Sequence, residues 1–312
     1  MSRLISLVVP VYNEEENIPH LLKAVSDEMA KFGERYELIL VDDGSTDGSV
    51  QKILDLKPTY PQVKLITFRR NFGQTAALAA GFDHCQGEVV VTLDADLQND
   101  PGDVAKLVRK LDEGYDIVNG WRKDRQDSWI RNLPSYLANS LISRVTGLKL
   151  KDSGCTLKAY RREVVKNLKL YGEMHRFIPA LATWMGVSLV EVPVRHHPRT
   201  RGKSKYGLSR TIRVFLDLLT VKFLLSYSTS PIQIFGKVGV YSSLWGVFFF
   251  MVSVVLKIAQ HRTLTGNPFF YLGFFMQVFA AQFILFGLLA EINIRTYHES
   301  QKKSIYMVKT IA

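Results

Sequence analysis

Two long uncharged segments in the last quarter of the chain constrain its fold more than any other feature. Residues 238–256 and 263–290 contain no Asp, Glu, Lys or Arg. Each segment is long enough to cross the ~30 Å hydrocarbon core of a bilayer as an α-helix. Two such runs joined by a short polar link are uncommon in soluble domains, which disfavours the alternative of a buried hairpin. The sequence therefore predicts a two-helix transmembrane hairpin over residues 232–294.

The basic residues that flank this hairpin predict its orientation. Lys222 and Lys237 precede the first span, and four Lys or Arg residues follow the second, whereas the link has only Lys257 and Arg262. Lys and Arg accumulate on the cytoplasmic side of membrane proteins. We therefore expect a multi-pass protein of the cell inner (plasma) membrane, with its large N-terminal domain and both termini in the cytoplasm.

Ahead of the hairpin, residues 1–207 alternate short apolar runs with helix-like segments. The apolar runs predict strands at residues 5–11, 36–41, 63–68, 89–93 and 116–120. The segments between them predict helices near residues 15–31, 74–85 and 103–113. Strands that alternate with helices are typical of βαβ units, so we expect an α/β domain with a mostly parallel sheet.

Three further expectations concern the start of the first helix and the segments on either side of the transmembrane hairpin. Asn13 is expected to cap the first helix, because acidic residues follow it where they suit the helix dipole. Residues 208–231 have apolar residues at helical spacing, which predicts amphipathic juxtamembrane helices in the plane of the interface. Residues 295–312 are expected to form a cytosolic C-terminal tail.

Oxygen-bearing side chains follow the predicted strand at residues 89–93. Asp94, Asp96 and Gln98 are spaced two residues apart, and extended backbone places such residues on one side. Hard oxygen ligands suit Mg²⁺ or Mn²⁺, which often share their coordination with substrate phosphates. The alternative is a solvated acidic turn, with Asn99 or Asp100 as a helix cap before a proline.

Polar residues follow three other predicted strands as well, at residues 12–14, 42–47 and 69–73. The carboxyl ends of parallel strands share one edge of a sheet, and that edge is where open α/β sheets bind ligands. The chain has no Gly-X-Gly-X-X-Gly after the first strand and no Walker-type loop. A nucleotide lying across this edge would therefore rest its diphosphate on the predicted metal ion.

The net charge of +11 indicates a partner rich in phosphate. The densest basic run is residues 195–205, where three interpretations compete. Contact with nucleic acid is disfavoured, because the membrane spans leave it no evident target. Attraction to anionic headgroups and a clamp on a substrate phosphate are compatible with each other, and Arg can bind phosphate at two points.

Four motifs together resemble one enzyme family. They are residues 8–14 (VVPVYNE), 41–47 (VDDGSTD), 70–73 (RNFG) and 94–98 (DADLQ). The chain is similar to GT-A glycosyltransferases of family 2, and within them to polyisoprenyl-phosphate glycosyltransferases. The resemblance covers the whole chain. It implies a Rossmann-like GT-A domain and metal-dependent transfer of a sugar from a nucleotide-sugar to a polyisoprenyl phosphate, with inversion. The Gln-X-X-Arg-Trp motif of processive synthases is absent, which favours a single transfer.

The resemblance also implies roles for individual residues. The nucleotide-sugar would contact Pro10, Tyr12, Glu14, Asp42 and Asp94. The metal, Mg²⁺ or Mn²⁺, would be held by Asp94, Asp96 and Gln98. The acceptor phosphate would be bound by Arg122, Arg131, Arg199, Arg201 and Lys203. Arg122 and Arg131 are also expected to act in catalysis. Separately from the resemblance, Asp152 in the turn at residues 152–156 is a candidate to orient the acceptor or to serve as a base, and stabilisation of that turn is the alternative.

The motifs leave the sugar and the nucleotide base open. Likeness to bacterial members with two C-terminal spans favours UDP-glucose or UDP-N-acetylhexosamine as donor and undecaprenyl phosphate as acceptor. The alternative is a GDP-mannose-using dolichol-phosphate or polyprenyl-phosphate mannose synthase. A non-catalytic scaffold or transporter subunit is a different class of function, but the spans lack the interior charges common in transport paths. Homo-oligomers through the transmembrane region are compatible with the sequence, and nucleic acid is not an expected partner.

Overall fold

A computed structural model gives the arrangement of most of the chain. The described residues are 3–122, 150–168, 170, 174–179, 181, 186–198, 232–260, 263, 266–300 and 308–311. They belong to two compact units, residues 1–221 with 304–312, and residues 222–303. Arg131, Arg199, Arg201, Lys203 and the predicted helices at 208–231 lie outside the described residues.

In the part of the first unit that the structure describes, eight strands form one sheet. They are β1 Leu4–Val11, β2 Arg35–Asp42, β3 Val63–Phe68, β4 Val89–Thr92, β5 Ile117–Arg122, β6 Lys158–Arg161, β7 Leu189–Val194 and β8 Val308–Ile311. Their order across the sheet is β7-β5-β6-β4-β1-β2-β3-β8. β1 pairs in parallel with both β2 and β4, while β6 and β8 run antiparallel to their neighbours. The predicted mostly parallel sheet is therefore confirmed.

Within the described ranges of the first unit, five α-helices connect these strands. They are α1 Ile18–Phe32, α2 Ser49–Leu56, α3 Gln74–His84, α4 Val104–Asp112 and α5 Arg162–Asn167. Short 3-10 helices lie at Pro101–Asp103 and Met174–Phe177.

Helices cover both faces of the sheet. Alternate residues of β1 point to opposite faces, so neighbouring residues of this strand pack against different helices. Leu7 and Val9 belong to a buried cluster with Leu21 of α1 and Leu107 of α4. On the other face, α3 approaches so closely that a Cβ on Gly81 would lie 2.2 Å from Val8 Cγ1. Burial on both faces explains why β1 is a continuous apolar run rather than an alternating one.

The start of the first helix differs from the prediction. Asn13 is not its cap: the residue has φ +52°, and its Oδ1 accepts a hydrogen bond from Thr46 N at 2.8 Å. The helix begins at Ile18 after Asn17, with a proline in its first turn. Asn tolerates the left-handed region, so Asn13 instead turns the chain out of β1.

The second unit contains helices α6 Ile232–Gln260 and α7 Pro268–Ser300. Both are long and apolar enough to cross a membrane. They are joined side to side by a polar contact, in which Ser243 Oγ donates to Gln277 Oε1 at 3.0 Å and Gln277 Nε2 donates to Ser243 O at 3.0 Å. Stacked rings of Phe249 and Phe269, with centroids 6.1 Å apart, add to the same interface.

Candidate active site

The strand order defines a crevice at the carboxyl edge of the sheet. From β1 the chain moves outward to β2 and β3, and then returns to place β4 on the other side of β1. Such a reversal leaves an opening beyond the ends of the two central strands, which is where α/β sheets bind ligands. The residues at this opening are Tyr12 after β1 and Asp94 after β4, both predicted site residues.

On the β2 side of the crevice, hydrogen bonds lock two loops together. Asn13 N donates to Ser45 Oγ at 2.9 Å, and Glu14 N donates to Ser49 Oγ at 2.9 Å. Pro10 lies within β1 opposite Val41, and Glu14 Oε2 accepts from an Asn side chain at 2.6 Å. The predicted nucleotide-binding residues Pro10, Tyr12 and Glu14 thus belong to one rigid segment.

Two consecutive carboxylates close the same side. Asp43 accepts from Phe72 N at 2.7 Å and Gly73 N at 2.9 Å, which ties the loop after β2 to the loop after β3. Burial raises the pKa of Asp43 to about 6. Asp42 is 2 % exposed, and its Oδ1 has no hydrogen-bond partner among the described residues. Burial raises the pKa of Asp42 as well.

The predicted metal ligands lie in a turn, not in extended backbone as the sequence argument assumed. β4 ends at Thr92, and Leu97 has φ +57°. Asp94 Oδ1 accepts from Gln74 Nε2 of α3 at 3.0 Å, and Asp96 Oδ1 accepts from the main-chain N–H of Gln98 at 3.1 Å. Burial, together with the neighbouring charge of Asp96, raises the pKa of Asp94 to about 6.

These residues fit a divalent cation. A cation bound between the two carboxylates would offset the repulsion that Asp96 exerts on the ionised form of Asp94. Within the described part of the chain, no group of three or more His, Cys, Asp or Glu residues is placed to hold a metal. Substrate oxygens would therefore have to complete the coordination, which is the usual situation for Mg²⁺ beside a nucleotide diphosphate.

Arg122 and Asp152 form the opposite wall. Arg122 Nε donates to Asp152 Oδ2 at 2.7 Å, and Nη2 donates to Oδ1 at 2.9 Å. Burial alone would raise the pKa of Asp152, but the guanidinium holds it below its usual range. The same carboxylate raises the pKa of Arg122 despite burial. The arginine therefore stays charged and its direction is fixed.

An unpredicted contact ties the start of the basic run to the acidic turn. Residues 196 and 197 run alongside residues 98 and 99, with a bridge between Asn99 and His196 and a hydrogen bond from His197 N to Gln98 O of 2.8 Å. Asp100 Oδ2 also lies 3.0 Å from Arg195 Nη1 and 3.1 Å from His197 Nε2. The segment that leads into Arg199 therefore begins beside Gln98.

Lys158 is a buried charged residue near the acidic turn that local sequence patterns do not identify. Lys158 lies on β6 directly opposite Thr92 of β4, and Thr92 is two residues before Asp94 in the sequence. Only 3 % of the surface of Lys158 is exposed. The one available signal is a lysine inside the otherwise apolar run at residues 157–160. Buried lysines are rare enough that this position invites a functional explanation.

The family assignment follows from comparison with known proteins. The sequence profile described as "Glycosyl transferase family 2" matches residues 6–169, which span β1 to α5 and every site residue described above except those of the basic run. The chain therefore belongs to glycosyl transferase family 2 and is a glycosyltransferase.

Two curated relatives match almost the full length. The chain is 41 % identical to the "Dodecaprenyl-phosphate galacturonate synthase" of Rhizobium johnstonii, covering 98 % of this chain and 92 % of the relative. It is 38 % identical to the "Undecaprenyl-phosphate 4-deoxy-4-formamido-L-arabinose transferase" of Edwardsiella ictaluri, covering 99 % and 94 %. The predicted resemblance to polyisoprenyl-phosphate glycosyltransferases is thereby confirmed.

Solved structures confirm the GT-A fold. Glucosyl-3-phosphoglycerate synthase from Mycobacterium tuberculosis, crystallised with Mn²⁺ and UDP-glucose, superposes with a TM-score of 0.54 at 22 % identity. The match covers 73 % of this chain and 82 % of that chain. The same enzyme with Mn²⁺, UDP and glucosyl-3-phosphoglycerate gives a TM-score of 0.55 at 21 % identity, covering 72 % and 80 %.

Proposed function

We propose that this glycosyltransferase moves one sugar from a nucleotide-sugar to a polyisoprenyl phosphate, with inversion, at the cytoplasmic face of the plasma membrane. The observation that carries the proposal is the match over 98 % of the chain to a relative named for a dodecaprenyl-phosphate acceptor. A match of that length includes the two apolar helices as well as the site. An acceptor with a long apolar chain accounts for a transferase that has two such helices.

The donor side of the site supports a nucleotide diphosphate. Asp42 Oδ1 is a buried acceptor that a donor group of the base or ribose would satisfy. Asp94, Asp96 and Gln98 would hold Mg²⁺ or Mn²⁺. When bound, the cation would act as a Lewis acid for the departing diphosphate. Pro10 at the end of β1, together with Tyr12 and Glu14 in the loop that follows, would support the nucleotide.

The acceptor side supports a phosphate nucleophile. A phosphomonoester is largely ionised at neutral pH, so it can attack without a strong base. Asp152 is paired with Arg122 and has a lowered pKa, which favours orientation of the arginine over proton abstraction. Arg122 would hold the phosphate together with Arg131, Arg199, Arg201 and Lys203. Arginines can do so at two points, which fixes the attacking oxygen.

The donor sugar can be determined with a defined panel. The family resemblance favours UDP-glucose or UDP-N-acetylhexosamine. The two relatives add galacturonate and 4-deoxy-4-formamido-L-arabinose. Purified full-length protein in lipid nanodiscs would be incubated with Mn²⁺, undecaprenyl phosphate and each nucleotide-sugar, GDP-mannose included.

The lipid products would be identified by mass spectrometry. We expect one donor to yield a lipid carrying a single sugar, with turnover lost on addition of chelator or omission of the lipid phosphate. Sugar-nucleotide cleavage at the same rate without the lipid phosphate would contradict the proposed acceptor.

A further inference from the structure

The buried Lys158 ammonium has no counterion among the described residues. Its hydrogen-bond partners among the described residues are two main-chain carbonyls, Ser153 O at 3.4 Å and Cys155 O. No described carboxylate lies within ion-pair distance of its Nζ. Burial lowers the pKa of Lys158, while the more distant Asp94 and Asp152 favour its charged form. A cation buried without a paired anion is unfavourable unless something else compensates it.

Lys158 lines a small polar cavity at the junction of β4 and β6. The cavity walls combine the ammonium, the imidazole of His175 and several hydroxyl groups, among them those of Thr92 and Thr156, with two aliphatic side chains. The volume that the centre of a water molecule can occupy in this cavity is ≈ 10 Å³. That is room for about one water molecule or one substrate oxygen.

The nearby carboxylates are already committed to other partners. Asp152 is bound at two points by Arg122, and Asp94 accepts from Gln74 and belongs to the predicted metal site. A role limited to holding the turn at residues 153–155 would need hydrogen-bond donors but no charge. The choice of a lysine at this position, rather than a neutral hydrogen-bond donor, is therefore unexplained by the contacts among the described residues.

We propose that the Lys158 ammonium binds one oxygen of an anionic substrate group, and that this oxygen occupies the cavity. Two substrates could supply that group: a donor whose sugar is a uronic acid, through its carboxylate, or the lipid acceptor, through its phosphate. The inference rests on the proposed function, because both anions are substrates of that reaction. It adds Lys158 as a substrate-binding residue and makes the β4–β6 junction part of the substrate site.

Three variants of the full-length protein in nanodiscs test the role of the charge. Lys158→Met removes the charge and the hydrogen bonds, Lys158→Gln keeps a hydrogen-bond donor, and Lys158→Arg keeps the charge. Lys166→Met is the matched control, because this exposed lysine on α5 also donates to a main-chain carbonyl, Asp83 O, at 2.7 Å. The ligands are UDP-galacturonate, UDP-glucose and undecaprenyl phosphate, with binding measured by calorimetry and transfer by initial rates.

We expect Lys158→Met and Lys158→Gln to weaken binding of one anionic substrate by about tenfold or more, and Lys158→Arg to restore most of it. If the anion is a sugar carboxylate, only UDP-galacturonate binding weakens. If it is the acceptor phosphate, binding of undecaprenyl phosphate weakens whichever donor is used. Lys166→Met should match the wild type.

The proposal is overturned if Lys158→Gln binds all three ligands as the wild type does. It is overturned equally if both donors weaken alike and the acceptor is unaffected, since the charge would then serve neither anion. Calorimetry requires no turnover. A wild-type protein that binds these ligands but forms no glycolipid would refute the proposed function. The ligand affinities of the Lys158 variants could still be compared with those of the wild type.

Discussion

Arg122 and Asp152 meet in a two-point ion pair, with contacts of 2.7 and 2.9 Å, that joins the end of β5 to the turn before β6. Their side chains are only 16 % and 8 % exposed. Removal of one partner from a buried pair leaves the other charge uncompensated. The pair therefore both stabilises this side of the site and fixes the orientation of the Arg122 guanidinium.

The first prediction concerns this pair. Asp152→Asn should lower the unfolding free energy by about 3 kcal/mol and raise the KM for lipid phosphate. Arg122→Gln combined with Asp152→Asn should recover part of the stability but none of the activity. Asp112→Asn is the control, because its pair with Arg3 is at the surface, and it should cost less than about 1 kcal/mol. Thermal unfolding and initial rates would measure both effects, and an unchanged Tm in Asp152→Asn would contradict the prediction.

The second prediction concerns the acidic turn. Asp96→Ala should reduce transfer by roughly 100-fold or more while leaving the fold intact, because a metal ligand is lost from a site with few protein ligands. Transfer rates, Mn²⁺ affinity and Tm would be compared with those of Asp55→Ala, because Asp55 is an exposed acid on α2 that accepts a hydrogen bond from Gln51 of the same helix. Activity within several-fold of the wild type would refute the metal assignment.

The third prediction concerns Gly44 in the loop after β2. This residue has φ +70°, and a Cβ there would lie 2.4 Å from the carbonyl carbon of Arg70. Gly44→Ala should therefore lower the unfolding free energy by about 2 kcal/mol or more and weaken UDP binding. Gly114 also has a positive φ but nothing within 4 Å, so Gly114→Ala should cost only about 1–2 kcal/mol and leave UDP binding unchanged. Equal effects of the two variants would show that the contact with Arg70 is unimportant.

The fourth prediction concerns pH. Burial alone would raise the pKa of Glu37, but hydrogen bonds from Lys64, Ser6 and Gln86 N hold it below its ordinary value of 4.5. A carboxyl with a lowered folded-state pKa stabilises the protein above its unfolded-state pKa, and that contribution is lost as the pH falls through the folded-state pKa.

Glu37→Gln should thus be less stable than the wild type at pH 7, and the difference should shrink as the pH falls below about 4.5. Tm measured across this range would show the convergence. Glu28→Gln, at an exposed pair with Lys31, should show little difference at any pH. If the Tm difference between Glu37→Gln and the wild type instead grew as the pH fell, the pKa of Glu37 would not be lowered in the folded protein.

The fifth prediction concerns Asp100, which holds Arg195 and His197 beside the acidic turn. Asp100→Asn keeps an oxygen to accept from Gly102 N but loses the charge. If the basic run binds the acceptor, this variant should raise the KM for lipid phosphate several-fold and leave the KM for the donor unchanged. Glu113→Gln, at an exposed pair with Lys110, is the control. If Asp100→Asn raised only the KM for the donor, the contact of Asp100 with Arg195 and His197 would have no role in acceptor binding.

Local pattern was sufficient for the central strands and for the two apolar helices. β1, β2, β3 and β4 lie within one residue of the predicted ends, because each is a short apolar run buried on both faces and bounded by polar or turn residues. The acidic turn and Asp42 were identifiable for the same reason, since they follow directly after such runs. Asn13 misled because an Asn before acidic residues also fits a turn.

The remaining features depend on contacts between distant parts of the chain. β6 carries Lys158, which breaks the apolar pattern of a strand, and its burial becomes evident only when β4 and β5 pair on either side. The pairing of residues 196–197 with 98–99 joins segments about a hundred residues apart. No periodicity within either segment indicates such a contact.

β8 extends the sheet with residues that follow both apolar helices in the chain, whereas its neighbour β3 precedes them. During synthesis β3 leaves the ribosome more than two hundred residues before its partner. Until then β3 is an uncovered edge, the kind of surface that recruits unintended strands from other molecules. Completion of the sheet must therefore await translation of both long helices, so assembly of this domain cannot finish before they have emerged.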